Sequence, residues 1–557
     1  TAKQRNSETA KQRNSETAKQ RNSETAKQRN SETADEPYLN KDPYKKIGKF
    51  LLCECDIFQN FQSYSHKKFL KICFFISFLF PPMYCISLPG KNESLRGNVI
   101  MVDKNGNLKD PDEDDHFTVS NSGTETYFIK LIDNIKKSKQ KKILIFIHGG
   151  LNGEEDGLKR AGELKQAISD DGYYPVFITW NSDLFSSYLE HLTKVRQGEE
   201  WRSWGWPTFP FYLIADIFKG IGDIPKIIVH QFNLQFQYSD ITAKNAVRIK
   251  DQIENTNQSA SIKTPELISG EYRKEKTWKK FSQVFFTVAT VPTTFISSLF
   301  INAAGKQSWD IMERRTAHLF RKSNEFDVRN MAAEDIRSML NCRFDDHNTN
   351  LSCPDNQSPS GALSKFLHHL SKSQLDKTHE ITVIAHSMGA IIANQMIRQN
   401  PEIRYSNIVY MGAAASINDF LISIPPYLEK HKSKEKKKNF PDVQFYNLML
   451  HPYAESAETN IYDLIIRGSL LEWLDNYFTE PRTLLDRRMG KYINIIQAVH
   501  TINPEIRGKI HLLHFDAGEN SKFPQTHGEF DDLRYRFWRE QFWTNGKENQ
   551  GVKVNLK

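Results

Sequence analysis

The sequence predicts an α/β fold: a mostly parallel sheet sandwiched by helices, with a large helical insertion. Two observations predict it. Short β-branched apolar runs alternate with helical apolar patterns, which argues for crossover units and a parallel sheet. That alternation stops near Asp183 and resumes near Ser360, which leaves room for an inserted body. In order, Asn98 to Val102 reads as a strand and Thr126 to Ile135 as a helix. Lys141 to Ile147 is a buried-strand run, Glu155 to Ser169 a helix, and Tyr174 to Trp180 the next strand. After the gap come the strand Ile381 to Ala385, the strand Ser406 to Met411, the helix Ile417 to His431 and the strand Val443 to Leu450. A second interruption runs from about Glu458 to Asn503, before the strand Lys509 to Phe515. A closing helix is expected to carry Leu533, Phe537, Phe542 and Trp543.

The most informative stretch is Ile381-Thr382-Val383-Ile384-Ala385-His386-Ser387-Met388-Gly389-Ala390-Ile391-Ile392. It reads as strand, sharp turn, helix. A nucleophilic serine needs this geometry, because the turn lifts its hydroxyl clear of the sheet and sets it at a helix N-terminus. The flanking residues must be small, since neighbouring Cβ atoms would collide with the strained turn. Ala385 stands where Gly-x-Ser-x-Gly has its first glycine, a mild departure. An ordinary turn with an incidental serine is the competing reading.

The strand 141–147 runs into His148-Gly149-Gly150-Leu151-Asn152-Gly153. Glycines there would let the backbone approach a reacting carbonyl and turn N–H groups toward it. The donors would be the backbone N–H groups of Met388 and of Gly150 or Leu151. Near the other end, a loop after the strand 509–515 leads to Thr526-His527-Gly528-Glu529-Phe530.

With these motifs in their chain order, residues 98–180 and 375–545 resemble the α/β-hydrolase superfamily, in its lipase and esterase part. Ala-His-Ser-Met-Gly and His-Gly-Gly carry the resemblance; they are not specific to a substrate. The resemblance implies a Ser-His-acid triad and a backbone oxyanion hole. It places the general base on the loop after the last strand, at His527, whereas His511 and His514 lie within a strand and read as structural. It places the acid after the strand 443–450. Glu455 is the expected acid; Glu458 and Asp419 are the alternatives, and any of them could instead be a surface carboxylate. The expected mechanism is ester cleavage by Ser387, His527 and Glu455, with Gly150 and Met388 at the oxyanion. No metal or organic cofactor is expected, and no Cys/His spacing suggests zinc. Acyl transfer on the same triad, or a catalytically idle interaction protein with this fold, are the other readings.

The first insertion, about residues 185–340, is expected to form a helical cap. It holds Trp201, Trp204 and Trp206, then Phe209-Pro210-Phe211-Tyr212-Leu213-Ile214-Ala215. Phe281 to Gly305 contains no charge over 25 residues. Insertions in such folds rise from the strand C-terminal ends, and an aromatic cap suits a small-molecule or lipid ester with an acyl chain. Simple packing on the core, or a transmembrane helix at 281–305, are the alternatives; its many Thr and Ser residues and Pro292 argue against the latter.

Residues 1–34 hold four copies of Thr-Ala-Lys-Gln-Arg-Asn-Ser-Glu through Glu32. No large apolar residue occurs in the unit, so it cannot support a packed core and is expected to be disordered. The four copies carry +4 of the formal net charge of +8. The remainder is near balance, so the basic character is poor evidence for nucleic-acid binding, and no nucleic-acid motif is present. Residues 35–90 read as a linker with a signal-like or anchor segment at 67–87. There Lys67-Lys68-Phe69-Leu70-Lys71 precedes the uncharged stretch Ile72 to Gly90, broken by Pro81-Pro82. Its internal position implies either an internal start or an uncleaved anchor. Use of that segment would make the protein exported or membrane-associated; without it the expectation is cytoplasmic. Beyond it only Cys342 and Cys353 remain of six cysteines, a pair that could close a disulfide in an oxidising compartment. The lysine clusters 136–142 and 430–438 each precede a strand. They read as solvated loops at the edge opposite the site, with membrane-surface contact as the alternative. Nothing in the sequence sets the oligomeric state.

Overall fold

The chain separates into two units, Thr1–Pro89 and Gly90–Lys557. The computed structural model describes residues 95–112, 118–196, 199–200, 205–237, 291–322, 343–344, 351–352, 360–432, 442–458, 467–515, 517 and 523–544, all in the second unit. The repeats, the signal-like segment, Phe285, Phe286, Cys342 and Cys353 lie outside the described residues.

An eight-stranded sheet organises the unit. Its strands are β1 (Val99–Val102), β2 (Leu108–Lys109), β3 (Lys142–Ile147), β4 (Tyr173–Trp180), β5 (Glu380–His386), β6 (Asn407–Met411), β7 (Gln444–Met449) and β8 (Ile510–His514). They lie in the order β8-β7-β6-β5-β3-β4-β1-β2. Every pairing is parallel except that of the short edge strand β2 with β1. The strands are nearly continuous apolar runs because helices cover both faces, as a parallel sheet requires. Along β3 the side chains alternate between the two layers. Ile143, Ile145 and Ile147 join one core with α1 (Asn121–Lys137), while Leu144 and Phe146 join the other with α2 (Glu154–Asp170). Phe146 meets Phe537 with ring centroids 5.0 Å apart. The C-terminal segment thus seals the second layer, but not as one helix. It forms a 3-10 turn at Leu533–Tyr535 and a short helix at Glu540–Thr544. Arg536, in the left-handed region at φ 45°, separates the two.

Described residues between β4 and β5 include helices and two two-stranded ribbons, Val195–Arg196 with Glu199–Glu200 and Arg343–Phe344 with Leu351–Ser352. α3 (Leu184–Thr193) follows β4, and α4 (Gly205–Gln237) and α5 (Val291–His318) pack against it and against each other. Arg315 of α5 fixes this body to the end of β4. It donates to the Asn181 side chain at 2.9 Å and to Ser187 at 3.0 Å, and pairs with Glu190 at 2.6 Å. The inner face of α4 buries Ile224, Ile227 and Gln231, whereas Phe211 is 74% and Phe218 68% exposed. Among the described residues no helix is long and apolar enough to cross a membrane. Lys430 and Lys432 pair with Glu402 and Glu505 at the surface.

Helices α6 (Ala362–Ser373), α7 (Gly389–Gln399) and α8 (Ile417–Lys430) complete the first layer. The second interruption contributes α9 (Pro452–Ala457), α10 (Leu470–Trp473) and α11 (Tyr492–Val499). Its residues 487–490 lie along the segment after β6: Met489 donates its N–H to Ala415 at 2.9 Å, and Gly490 to Ala413 at 2.9 Å.

Candidate active site

In the sheet, β3 has β4 on one side and β5 on the other. The chain order reverses there, and loops leaving the two strands part in opposite directions to open a crevice at their C-terminal ends. His148-Gly149-Gly150 leaves β3 at that point, and His386-Ser387-Met388 leaves β5.

Ser387 has φ 52°, in the left-handed region that costs a non-glycine residue about 1–2 kcal/mol. Its main chain is held on both sides: the N–H donates to Met411 at 2.9 Å, and the carbonyl accepts from Ala414 at 2.9 Å. The turn also needs Gly389 and Gly149. A Cβ at Gly389 would fall 2.6 Å from the Ile147 carbonyl oxygen, and one at Gly149 would fall 2.9 Å from Ser387 Cβ.

His527 Nε2 lies 2.8 Å from Ser387 Oγ, 140 residues away in sequence. Both are buried. The hydroxyl donates, so Nε2 carries the lone pair and Nδ1 the hydrogen. Burial pushes the imidazole down to about 3, repulsion from His386 adds to this, and attraction by Asp531 opposes it. The ring is therefore a neutral acceptor near pH 7. Its Nδ1 has no hydrogen-bond partner among the described residues and lies against Gly412, the residue after β6.

The glycine loop presents its amides by a local device. The Gly149 carbonyl accepts from His148 Nδ1 at 2.7 Å, and from Ser182 Oγ and Asn152 Nδ2, both at 3.3 Å. A trans peptide points its N–H opposite to its carbonyl, so these donors turn the Gly150 N–H the other way. Neither that N–H nor the N–H of Met388 has an acceptor among the described residues. The Leu151 N–H is bound to the Ser182 carbonyl at 3.0 Å, so of the two expected donors Gly150 is the open one. His148 is fixed as one neutral tautomer, because its Nε2 accepts from the Trp180 N–H at 3.1 Å.

The carboxylates divide differently from the expectation. Glu455 makes no hydrogen bond to His527: one oxygen accepts from Ser469, and the other has no partner among the described residues. Burial raises its carboxyl to about 8, against the pull of Ser469 and Lys491, so near pH 7 it is mostly neutral. Glu458, three residues on and just past the end of α9, does reach His527. Its Oε2 accepts from the His527 main-chain N–H at 2.9 Å. Burial raises it to about 7, with the His527 N–H opposing. Asp419 lies elsewhere, held by Asn394 at 2.6 Å and by Arg398, where it ties α8 to α7.

Two further residues enter the site. His386 Nε2 lies 2.9 Å from the His527 carbonyl oxygen, and Asp531 Oδ2 lies 3.7 Å from His386 Nδ1. Burial would raise Asp531, but attraction to His386 and Arg160 outweighs it and keeps the carboxyl below its usual value. The sequence signal for them is slight. His386 adjoins the serine, and Asp531 follows His527 by one helical turn. Among the described residues no group of His, Cys, Asp and Glu could hold a metal ion.

The arrangement defines the class: an α/β protein whose parallel sheet presents a strained serine beside a buried histidine. No family model, curated protein or solved structure matches the chain.

Proposed function

We propose that the chain is a serine hydrolase of the α/β-hydrolase type, acting on carboxylic esters. The observation that carries this is the 2.8 Å contact of His527 Nε2 with a serine held at φ 52° over a sheet switch point. His527 takes the Ser387 proton as the oxygen attacks the acyl carbonyl. The oxyanion gathers at the N–H groups of Met388 and Gly150. The alcohol leaves with the proton from His527, and water then releases the acyl group by the same steps. Glu458, bound to the His527 main chain, is the anchoring carboxylate in place of Glu455.

The helical insertion acts as a cap for an acyl chain. Support comes from α5, which packs on residues just past β4 at the same sheet edge, and from the apolar character of α4. A fluorophosphonate probe tests the function. It labels the native chain and not Ser387→Ala, and ester turnover disappears with the label. Two observations favour a second reading, an idle fold: Ser387 is only 1% exposed, and His527 Nδ1 has no partner among the described residues. That reading predicts no label on the native chain.

A further inference from the structure

We propose that His386, backed by Asp531, is a positioning residue that keeps the His527 ring in register with Ser387. The proposal rests on the hydrolase reading above. His527 needs an external brace, because Ser387 is the one hydrogen-bond partner of its ring and Nδ1 has none among the described residues. Its orientation must therefore come from its main chain and from packing against Gly412 and His386.

The main chain is gripped at both ends. Glu458 accepts from the N–H at 2.9 Å, and His386 Nε2 donates to the carbonyl at 2.9 Å. A ring nitrogen facing a carbonyl oxygen must be the donor, so His386 carries a proton on Nε2. The Asp531 carboxylate faces the other ring nitrogen, 3.7 Å from Nδ1. Asp531 is in turn 3.8 Å from Arg160 Nε on α2. The two imidazole rings are neighbours at a tilt of 34°, with centroids 5.3 Å apart.

Position in the chain gives this contact its use. His386 is the last residue of β5 and the neighbour of the nucleophile. A shift of the elbow therefore carries the anchor of the base with it. A displacement of about 1 Å at a reacting pair can cost about a hundredfold in rate, so coupling both groups to consecutive residues protects the distance that matters.

The test uses the full chain and reads the second-order rate of fluorophosphonate labelling, kcat and KM on a p-nitrophenyl ester, and the thermal midpoint. His386→Phe keeps the ring and removes the donor. It should lower kcat and labelling about a hundredfold, with KM within about twofold. His386→Gln places an amide N–H near the former Nε2 and should recover about tenfold of that loss. A folded His386→Phe that labels at the native rate overturns the proposal, as does a folded glutamine variant no faster than the phenylalanine one. If His386→Phe does not fold, Asp531→Asn decides. A roughly tenfold lower kcat at unchanged KM and midpoint supports the proposal, and native kcat overturns it. A native chain that takes no label instead removes the hydrolase reading, and this inference with it.

Discussion

Two buried polar clusters lie at the carboxyl edge of this sheet, and they are built on opposite principles. In the second interruption, Lys491 pairs with Glu472 at 2.7 Å and with Asp475 at 3.6 Å. Asp475 also accepts from the Arg488 N–H at 2.9 Å and from Asn494 at 2.8 Å. The Arg488 Nε also lies 3.8 Å from Asp475, so two cations face the two carboxylates. Around Ser387 the polar atoms are left with open capacity: Nδ1 of His527, Nδ1 of His386 and the amides of Gly150 and Met388. A matched cluster offsets its own desolvation and has nothing left for a ligand. Unspent donors beside a strained serine are kept at a cost to stability, a cost that the proposed hydrolase would recover on binding its substrate.

Ser387→Ala should lower ester turnover at least about a thousandfold, since removal of a nucleophile normally costs several orders of magnitude. Lys491→Met should do the reverse. It leaves the buried Glu472 without its nearest cation, 2.7 Å away, so it should destabilise by about 3–5 kcal/mol. Labelling per folded molecule should stay within about twofold. Chemical denaturation and probe kinetics on both variants check this. Activity loss without destabilisation at Lys491 would merge the two clusters into one.

The pH profile sharpens the comparison. His527 accepts a proton only when neutral, and its depressed value makes it neutral from about 3 upward. Loss of kcat/KM between pH 7 and pH 5 should therefore come from Glu458, raised to about 7, and stay within the about tenfold expected of Glu458→Gln. A free imidazole of pKa about 6.5 would retain about 4% of its pH 7 value there. A steep loss centred near 6.5 would place His527 in contact with water.

The carboxylates give the next effect. Glu458→Gln should lower kcat about tenfold, while Glu455→Gln leaves it within about twofold. Glu455 acts on stability instead. Its folded-state value, about 8, lies above the ordinary 4.5. The native state therefore holds the proton that the unfolded chain releases, and stability falls as pH rises from about 4.5 to 8. Glutamine cannot ionise, so Glu455→Gln should gain about 1–2 kcal/mol on the native chain above pH 8, read by denaturation at pH 5 and pH 9.

The smallest effect concerns the insertion. If the cap holds an acyl chain, each buried methylene adds about 0.8 kcal/mol at most. Medium-chain p-nitrophenyl esters should then exceed acetyl esters severalfold in kcat/KM. A flat profile would make the helices structural and leave the ester chemistry untouched.

Much of this was legible in the residues. Runs such as Lys142–Ile147 and Glu380–His386, short, rich in β-branched residues and continuous in apolar character, fit buried strands because both faces of a parallel sheet are covered. Gly149 and Gly389 sit beside the serine because close backbone approach excludes a Cβ, a constraint written in residue type. The partners of His527 were not legible. Glu455 and Glu458 are three residues apart on one short helix and its end, and no local pattern tells which turns to the histidine and which to Ser469. Likewise the C-terminal segment reads as one amphipathic helix, but Phe537 and Trp538 must fill the layer over β3, and the backbone breaks at Arg536 to place them. Residue type and spacing determine the sheet, the elbow and the glycine loop, because each depends on neighbours in the chain. The carboxylate that grips the base, and the brace from His386 to its carbonyl, depend on contacts across 69 and 141 residues, which only packing decides.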